Sequence, residues 1–204
     1  LKKTGCIITA TAGSSEFVVD ILLDSSGSQA IRQSQVAVQG YILSEALSFV
    51  EIPHRVVSYC TFWNYTVMHR FRDYDDGKEK NERIFEFRAS GDNRDGLAVK
   101  AAYDTLLDRP ENHKILILLD NGKPCDISIR RPADYTGEKA VKDTAFEIRR
   151  ARTLGISVLG IFAENYEDTA AEKRIFGKDF AYIRDIRNFS RVAGAYLCRQ
   201  LEEE

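Results

Sequence analysis

Three runs of the chain are apolar on both of their alternating faces: FVVDILLD (17–24), KILILLD (114–120) and ISVLGIFA (156–163). Successive side chains of a strand point to opposite faces. A strand apolar on both faces must be covered on both sides, the condition of parallel sheets in α/β domains. Between these runs lie stretches with helical spacing. Residues 30–50 place Val36, Ile42, Leu43, Ala46, Leu47 and Val50 on one stripe. Residues 95–108 start at an acidic residue and stop before Pro110, and 138–155 turn Val141, Ala145 and Ile148 inward with Gly155 as C-cap. HRVVSYCTF (54–62) is a further strand, and the alternation of 66–74 predicts an edge strand antiparallel to it. Residues 75–82 form a charged loop and 121–137 a long loop with two prolines; a short helix near 168–176, a strand near 180–184 and a final helix at 186–203 complete the chain. The expected fold is α/β, doubly wound, with a mostly parallel sheet, one antiparallel edge strand and helices on both faces. It occupies 17–204, with 1–16 as an extension or linker, and a first residue Leu1 reads as a fragment of a longer protein.

The 204 residues suit one domain, and 44% hydrophobic content supplies a core. The 29 basic and 31 acidic residues are interspersed, which argues against a general electrostatic grip on nucleic acid or on an anionic membrane. No apolar run approaches the ~20 residues that span a bilayer. Cys6, Cys60, Cys125 and Cys198 show no paired spacing and no CxxC. That pattern speaks against a zinc site and for a reduced, cytoplasmic protein.

In doubly wound sheets ligands bind outside the carboxyl ends of the strands, where strand order reverses. Two strands deliver acids there, Asp24 and Asp120, and Asp24 is followed by Ser25, Ser26, Gly27 and Ser28. Ser26 and Ser28, alternate residues on an extended loop, can face the same side. Such oxygen donors suit a hard divalent cation. A turn leading into a helix N-cap is the plainer reading of the same stretch. An anion at a helix N-terminus is a third, although neither GxGxxG nor GxxxxGK[ST] is present.

DSSGS after an apolar strand resembles the D-x-S-x-S signature of von Willebrand factor type A domains, where it opens the metal-ion-dependent adhesion site. NRDGLAV (93–99) stands where that family carries a threonine loop, with Asn93 at the threonine's place. LLDNGKP (118–124) stands where it carries an aspartate after the strand, with Asn121 in the aspartate's place and Asp120 before it. The stretch NRDGLAVKAAYDTLLDRPENHKILILLDNGKPCD is similar to the type A domain of the cobaltochelatase T subunit, which has N-x-D-G, an R-P-E turn and a D-G-x-P loop. NGKPCD with DYTGEKAVKDTAFEIRRARTLGISVLGI is similar to the nitric oxide reductase activation protein of D type. The resemblance spans about 17–200.

It implies a protein–protein interaction domain rather than an enzyme. Asp24, Ser26 and Ser28 would hold Mg²⁺ (or Mn²⁺ or Ca²⁺), with Asn93 and Asn121 in support, Asp120 and Asp126 as auxiliary groups, and Asp92 also within the loops. A partner's carboxylate would complete the shell. The implied partners are a MoxR-type AAA+ ATPase and a target metalloenzyme that the pair activates or loads with metal, with neither nucleic acid nor membrane insertion involved. Asn121 offers a carbonyl oxygen but no charge. Unit charges about 4 Å apart interact by roughly 4 kcal/mol at an effective dielectric near 20, before solvation costs, so the site is expected to be weak.

Two rival readings stand beside this one. A Mg²⁺-dependent hydrolase or phosphoryl-transfer domain would use Asp24 as nucleophile, although D-x-D-x-T is missing. A metal-independent scaffold with a degenerate site is favoured by Asn121. His54, His69 and His113 share no ligand spacing and read as surface or satisfied histidines, and G-x-S-x-G is absent. The aromatic and arginine-rich 59–74 reads as strand core plus an amphipathic edge, with a base-stacking surface as the alternative. Arg130, Arg131 and Tyr135 are residue types favoured at protein interfaces, with a solvated loop as the plainer reading.

Overall fold

The computed structural model describes residues 16–63, 65–120, 124–127, 135–162 and 170–202. Six strands, β1 (Phe17–Asp24), β2 (His54–Phe62), β3 (Tyr65–Arg72), β4 (His113–Asp120), β5 (Ile156–Phe162) and β6 (Phe180–Tyr182), form one sheet in the order β3-β2-β1-β4-β5-β6. Every pairing is parallel except β2 with β3. The helices are α1 (Gln33–Phe49), α2 (Asp95–Leu107), α3 (Gly137–Thr153), α4 (Ala170–Phe176) and α5 (Phe189–Glu202).

The pleat of β1 divides the core. Val19, Ile21 and Leu23 pack with Val36, Leu43 and Leu47 of α1 and with Phe189, Ala193 and Leu197 of α5. Val18 and Leu22 pack on the other face with Ala98, Ala102 and Leu106 of α2, Ala145 and Ile148 of α3, and Phe176 of α4. Asp20 falls on this second face, between Val18 and Leu22. Arg55, its register partner on β2, donates to it from Nε at 2.8 Å and from Nη2 at 2.5 Å, and Nη2 also reaches the Ala102 carbonyl at 3.2 Å. A strand that looks apolar throughout therefore carries a buried ion pair, its charge hidden by matching across two strands 35 residues apart.

Other departures are local. The α1 stripe holds Val36, Leu43 and Leu47, but Ile42 is 44% exposed, and Ala37, Gln39, Gly40 and Ser44 take the inner positions instead. The segment 75–82, expected to be loop, runs into a 3-10 helix, Lys78–Glu86, which packs on α1 by burying Asn81 and Ile84. Gly155 has φ +85°, as its place after α3 requires. Cys60 and Cys125 are in the thiol form. Among the described residues no helix is long and apolar enough to cross a membrane.

Candidate functional site

Strand order reverses between β1 and β4, and the carboxyl ends of both carry aspartates: Asp24 and Asp120, each about 2% exposed or less. The loop after β1 folds back on the Asp24 carboxylate. Oδ1 accepts from the Ser26 backbone N–H at 2.7 Å. Oδ2 accepts from Ser26 Oγ at 3.0 Å and from Gln29 Nε2 at 2.9 Å. Ser26 Oγ lies 2.9 Å from Ser28 Oγ. The three residues singled out from D-x-S-x-S are thus one hydrogen-bonded group. Gln29, held by Arg32 Nε at 2.7 Å, is a fourth member that local sequence did not reveal.

Two neighbouring segments hold this loop in place. Ser25 donates from both backbone N–H (2.9 Å) and Oγ (2.8 Å) to the Tyr59 carbonyl of β2. Gly27 N–H donates to the Gly91 carbonyl at 2.8 Å, and Ser90 N–H to the Ser25 carbonyl at 2.7 Å. Gly91 has φ +71°, and a Cβ there would stand 2.6 Å from the Thr61 carbonyl oxygen, so only glycine fits.

Asn93 joins the remaining loops. Its backbone pairs with Cys125, its Oδ1 accepts from the Cys125 N–H at 2.9 Å, and its Nδ2 donates to Asp95 Oδ1 at 2.9 Å. Asp95, the first residue of α2, is fully buried, and Tyr59 Oη donates to the same Oδ1 at 2.9 Å. Asp95 was read only as the acid that starts a helix, yet it belongs to the site. The one signal for it is its place two residues after Asn93 in N-x-D-G. Burial first, and then the charge of Asp24, pushes its carboxyl up to about 7, against the hydrogen bonds that favour the ionised form. Burial likewise raises Asp24, opposed by Gln29 and Ser26. Asp120 lies beside both and, when protonated, can donate to either.

The other candidates are differently placed. Asp126 is buried and ion-paired with Arg94 Nε, so its carboxylate is already engaged. Asp92 pairs through its backbone with Thr61. Asn121, Arg130 and Arg131 lie outside the described residues. Tyr135 is not an interface residue: it is 9% exposed, and its Oη donates to Asp143 Oδ2 at 2.7 Å, pinning the loop to α3. Among the described residues no three His, Cys, Asp or Glu side chains form a ready metal cluster. A cation here would draw on hydroxyls and water as well as carboxylates, as an oxygen site with one aspartate and two serines requires. The oxygen-only donor set and the buried, unpartnered Oδ2 of Asp95 fit such an ion. Large apolar side chains face solvent on the neighbouring segments: Ile31 after the serine loop, Phe62, Trp63 and Tyr65 at the β2–β3 hairpin, and Ile127 beside Asp126.

The family model described as the cobalamin biosynthesis protein CobT VWA domain matches residues 84–165. Protein NorD of Brucella suis biovar 1 is 28% identical over 109 residues, covering 52% of this chain and 16% of NorD. Protein YojO of Bacillus subtilis is 24% identical over 193 residues, covering 83% of this chain and 27% of YojO. The chain has the fold of von Willebrand factor type A domains, and its sequence is similar to the CobT/NorD family. Solved structures share the fold. The vWF domain of the pilus tip protein Mfa5 from Porphyromonas gingivalis superposes with a TM-score of 0.73 at 11% identity, covering 91% of this chain and 95% of that one. The PilB minor pilin of Streptococcus sanguinis gives 0.66 at 14% identity, covering 95% and 63%. At these identities the likeness is one of fold. The type A domain described here spans about a quarter or less of the length of YojO and NorD.

Proposed function

We propose that this type A domain is an interaction module whose Asp24–Ser26–Ser28 group holds a divalent cation, Mg²⁺ or else Mn²⁺ or Ca²⁺, and presents it to a carboxylate of a partner protein. The observation that carries the reading is the convergence of those three side chains at the strand-order reversal, with Asp95 and Asp120 behind them and exposed apolar side chains on the neighbouring segments. Exposed aromatic side chains of this kind are among the residue types enriched in protein interfaces. The family resemblance supplies the partners: a MoxR-type AAA+ ATPase, with a target metalloenzyme that the pair activates or loads with metal. ATP is the ATPase's substrate, which puts the pair in the cytoplasm.

Asp24 is a poor nucleophile. It is 1% exposed and both its oxygens are occupied by Ser26 and Gln29, so a phosphoryl group would have to displace the loop that defines the site.

The test is calorimetric titration of the domain with Mg²⁺, Mn²⁺ and Ca²⁺, with Asn121→Asp beside the wild type, followed by capture of the ATPase with and without chelator. Wild-type binding that tightens in Asn121→Asp, with chelator-sensitive capture, is expected. Capture indifferent to chelator overturns the reading in favour of a metal-independent scaffold, and turnover of a generic phosphate ester overturns it in favour of a hydrolase.

A further inference from the structure

Asp95 has one oxygen accounted for and one that is not. Oδ1 accepts from Tyr59 Oη and Asn93 Nδ2, both at 2.9 Å. Oδ2 is equally buried and has no hydrogen-bond partner among the described residues. The residue has no solvent exposure at all, so water does not satisfy it from bulk. A buried carboxylate oxygen without a donor is costly, and such an atom calls for a specific explanation. Strain does not supply one, for Asp95 is an ordinary first residue of α2, where the helix N-terminus favours a negative charge.

The surroundings of this oxygen are acidic. The charge of Asp24 bears on Asp95, and Asp120 lies within side-chain hydrogen-bonding reach of it. An ionised carboxylate cannot donate a hydrogen bond, so with Asp24, Asp95 and Asp120 all ionised no described residue donates to Oδ2. A divalent cation would both accept the lone pair and offset the accumulated charge. In the Asp24–Ser26–Ser28 group only one of three donors is charged, and Asn121 adds none, so a second carboxylate has to come from elsewhere. Asp95 is tied to this group through Tyr59, whose carbonyl fixes Ser25 while its hydroxyl fixes Asp95.

We infer that Asp95, at the start of α2, supplies the second carboxylate of the cation site, directly or through one water, in place of a carboxylate at position 121. This rests on the adhesion-site reading and specifies which residue carries the charge. Tyr59 and Asn93 are then positioning residues that fix Oδ1 and turn Oδ2 toward the ion.

Calorimetric titration with Mn²⁺ at pH 8 tests it on wild type, Asp95→Asn, Asp95→Thr and Asp104→Asn, with thermal melts to establish folding. Asp104 is an exposed carboxylate paired with Lys100 and serves as the control. Affinity that falls by roughly tenfold or more in both Asp95 variants and holds in Asp104→Asn is the expected result. Should Asp95→Asn fail to fold, Asp95→Thr, which keeps an oxygen without the charge, decides. Affinity within about twofold of wild type in the folded Asp95 variants overturns the assignment while leaving the adhesion site standing. No Mn²⁺ binding by the wild type overturns both.

Discussion

Tyr59 and Asp95 lie 36 residues apart in the chain, and the phenol donates to the buried carboxylate at 2.9 Å. The contact links the centre of β2 to the first turn of α2. Burial raises the phenol well above its ordinary range, helped by the nearby charges of Asp120, Asp95 and Asp24, so it stays a donor at every accessible pH. Tyr59→Phe removes the donor and leaves Asp95 with Asn93 alone. The expected cost is about 1–3 kcal/mol of stability, read by urea denaturation. A change below about 0.5 kcal/mol would mean that the bond is not made in solution.

Asp20 and Arg55 form a pair inside the sheet, 2% and 7% exposed. Removing one partner strands a buried charge. Asp20→Ala or Arg55→Met alone is expected to cost about 3–5 kcal/mol, and the double change Asp20→Val with Arg55→Met to recover most of it. Chemical denaturation of the three variants checks this through the coupling between the sites.

Gly91→Ala should damage the site without touching it. The new Cβ would meet the Thr61 carbonyl in a backbone conformation that costs roughly 1–2 kcal/mol for a residue with a Cβ. Because the Gly91 carbonyl accepts from Gly27, the serine loop moves with it. Weaker cation binding together with a lower melting temperature is the expected pair of effects. A lower melting temperature with unchanged binding would separate the turn from the site.

His54 gives a pH dependence whose sign can be worked out. Its Nδ1 faces the Ile52 carbonyl at 2.8 Å, while Nε2 faces Ser44 Oγ at 2.8 Å and the Arg72 guanidinium. Burial first, and then the Arg72 charge, holds the ring down to about 3. The unfolded ring takes a proton near 6.5 and the folded one does not. The contribution is therefore complete above about 6.5 and is lost as pH falls toward 3. From pH 7.5 to 5 the loss from this group is about 2 kcal/mol. Asp24 and Asp95, whose carboxyls are raised, act in the opposite sense, since the folded state takes up their protons first. The informative quantity is therefore the difference between wild type and His54→Gln, measured by denaturation at both pH values. Parallel losses in the two proteins would refute the assignment.

Much of the fold was legible because β1, β4 and β5 need cover on both faces, which only a sheet between helix layers provides. The antiparallel edge could be seen in the alternation of β3. Asp20 was hidden because its compensation lies on another strand, and a local reading has no access to register. At the site, Asp24, Ser26 and Ser28 were legible since two-residue spacing on a loop puts side chains on one side. Asp95 and Gln29 were not, because each acts through where a helical turn meets the end of a distant strand. Neither an interface role nor a solvated loop describes Tyr135, because residue type alone does not distinguish a docking residue from an internal peg.

The β2–β3 hairpin has an optical consequence. Trp63, the chain's single tryptophan, sits at its tip, 76% exposed and held at φ 50°. All indole emission therefore arises from one water-facing ring at the β2–β3 hairpin. Denaturation will shift that emission little, because the ring is already hydrated in the native state. A partner covering the rim will move it to the blue and shield it from iodide quenching. The domain carries its own fluorophore where docking would occur, and association can be followed without a label.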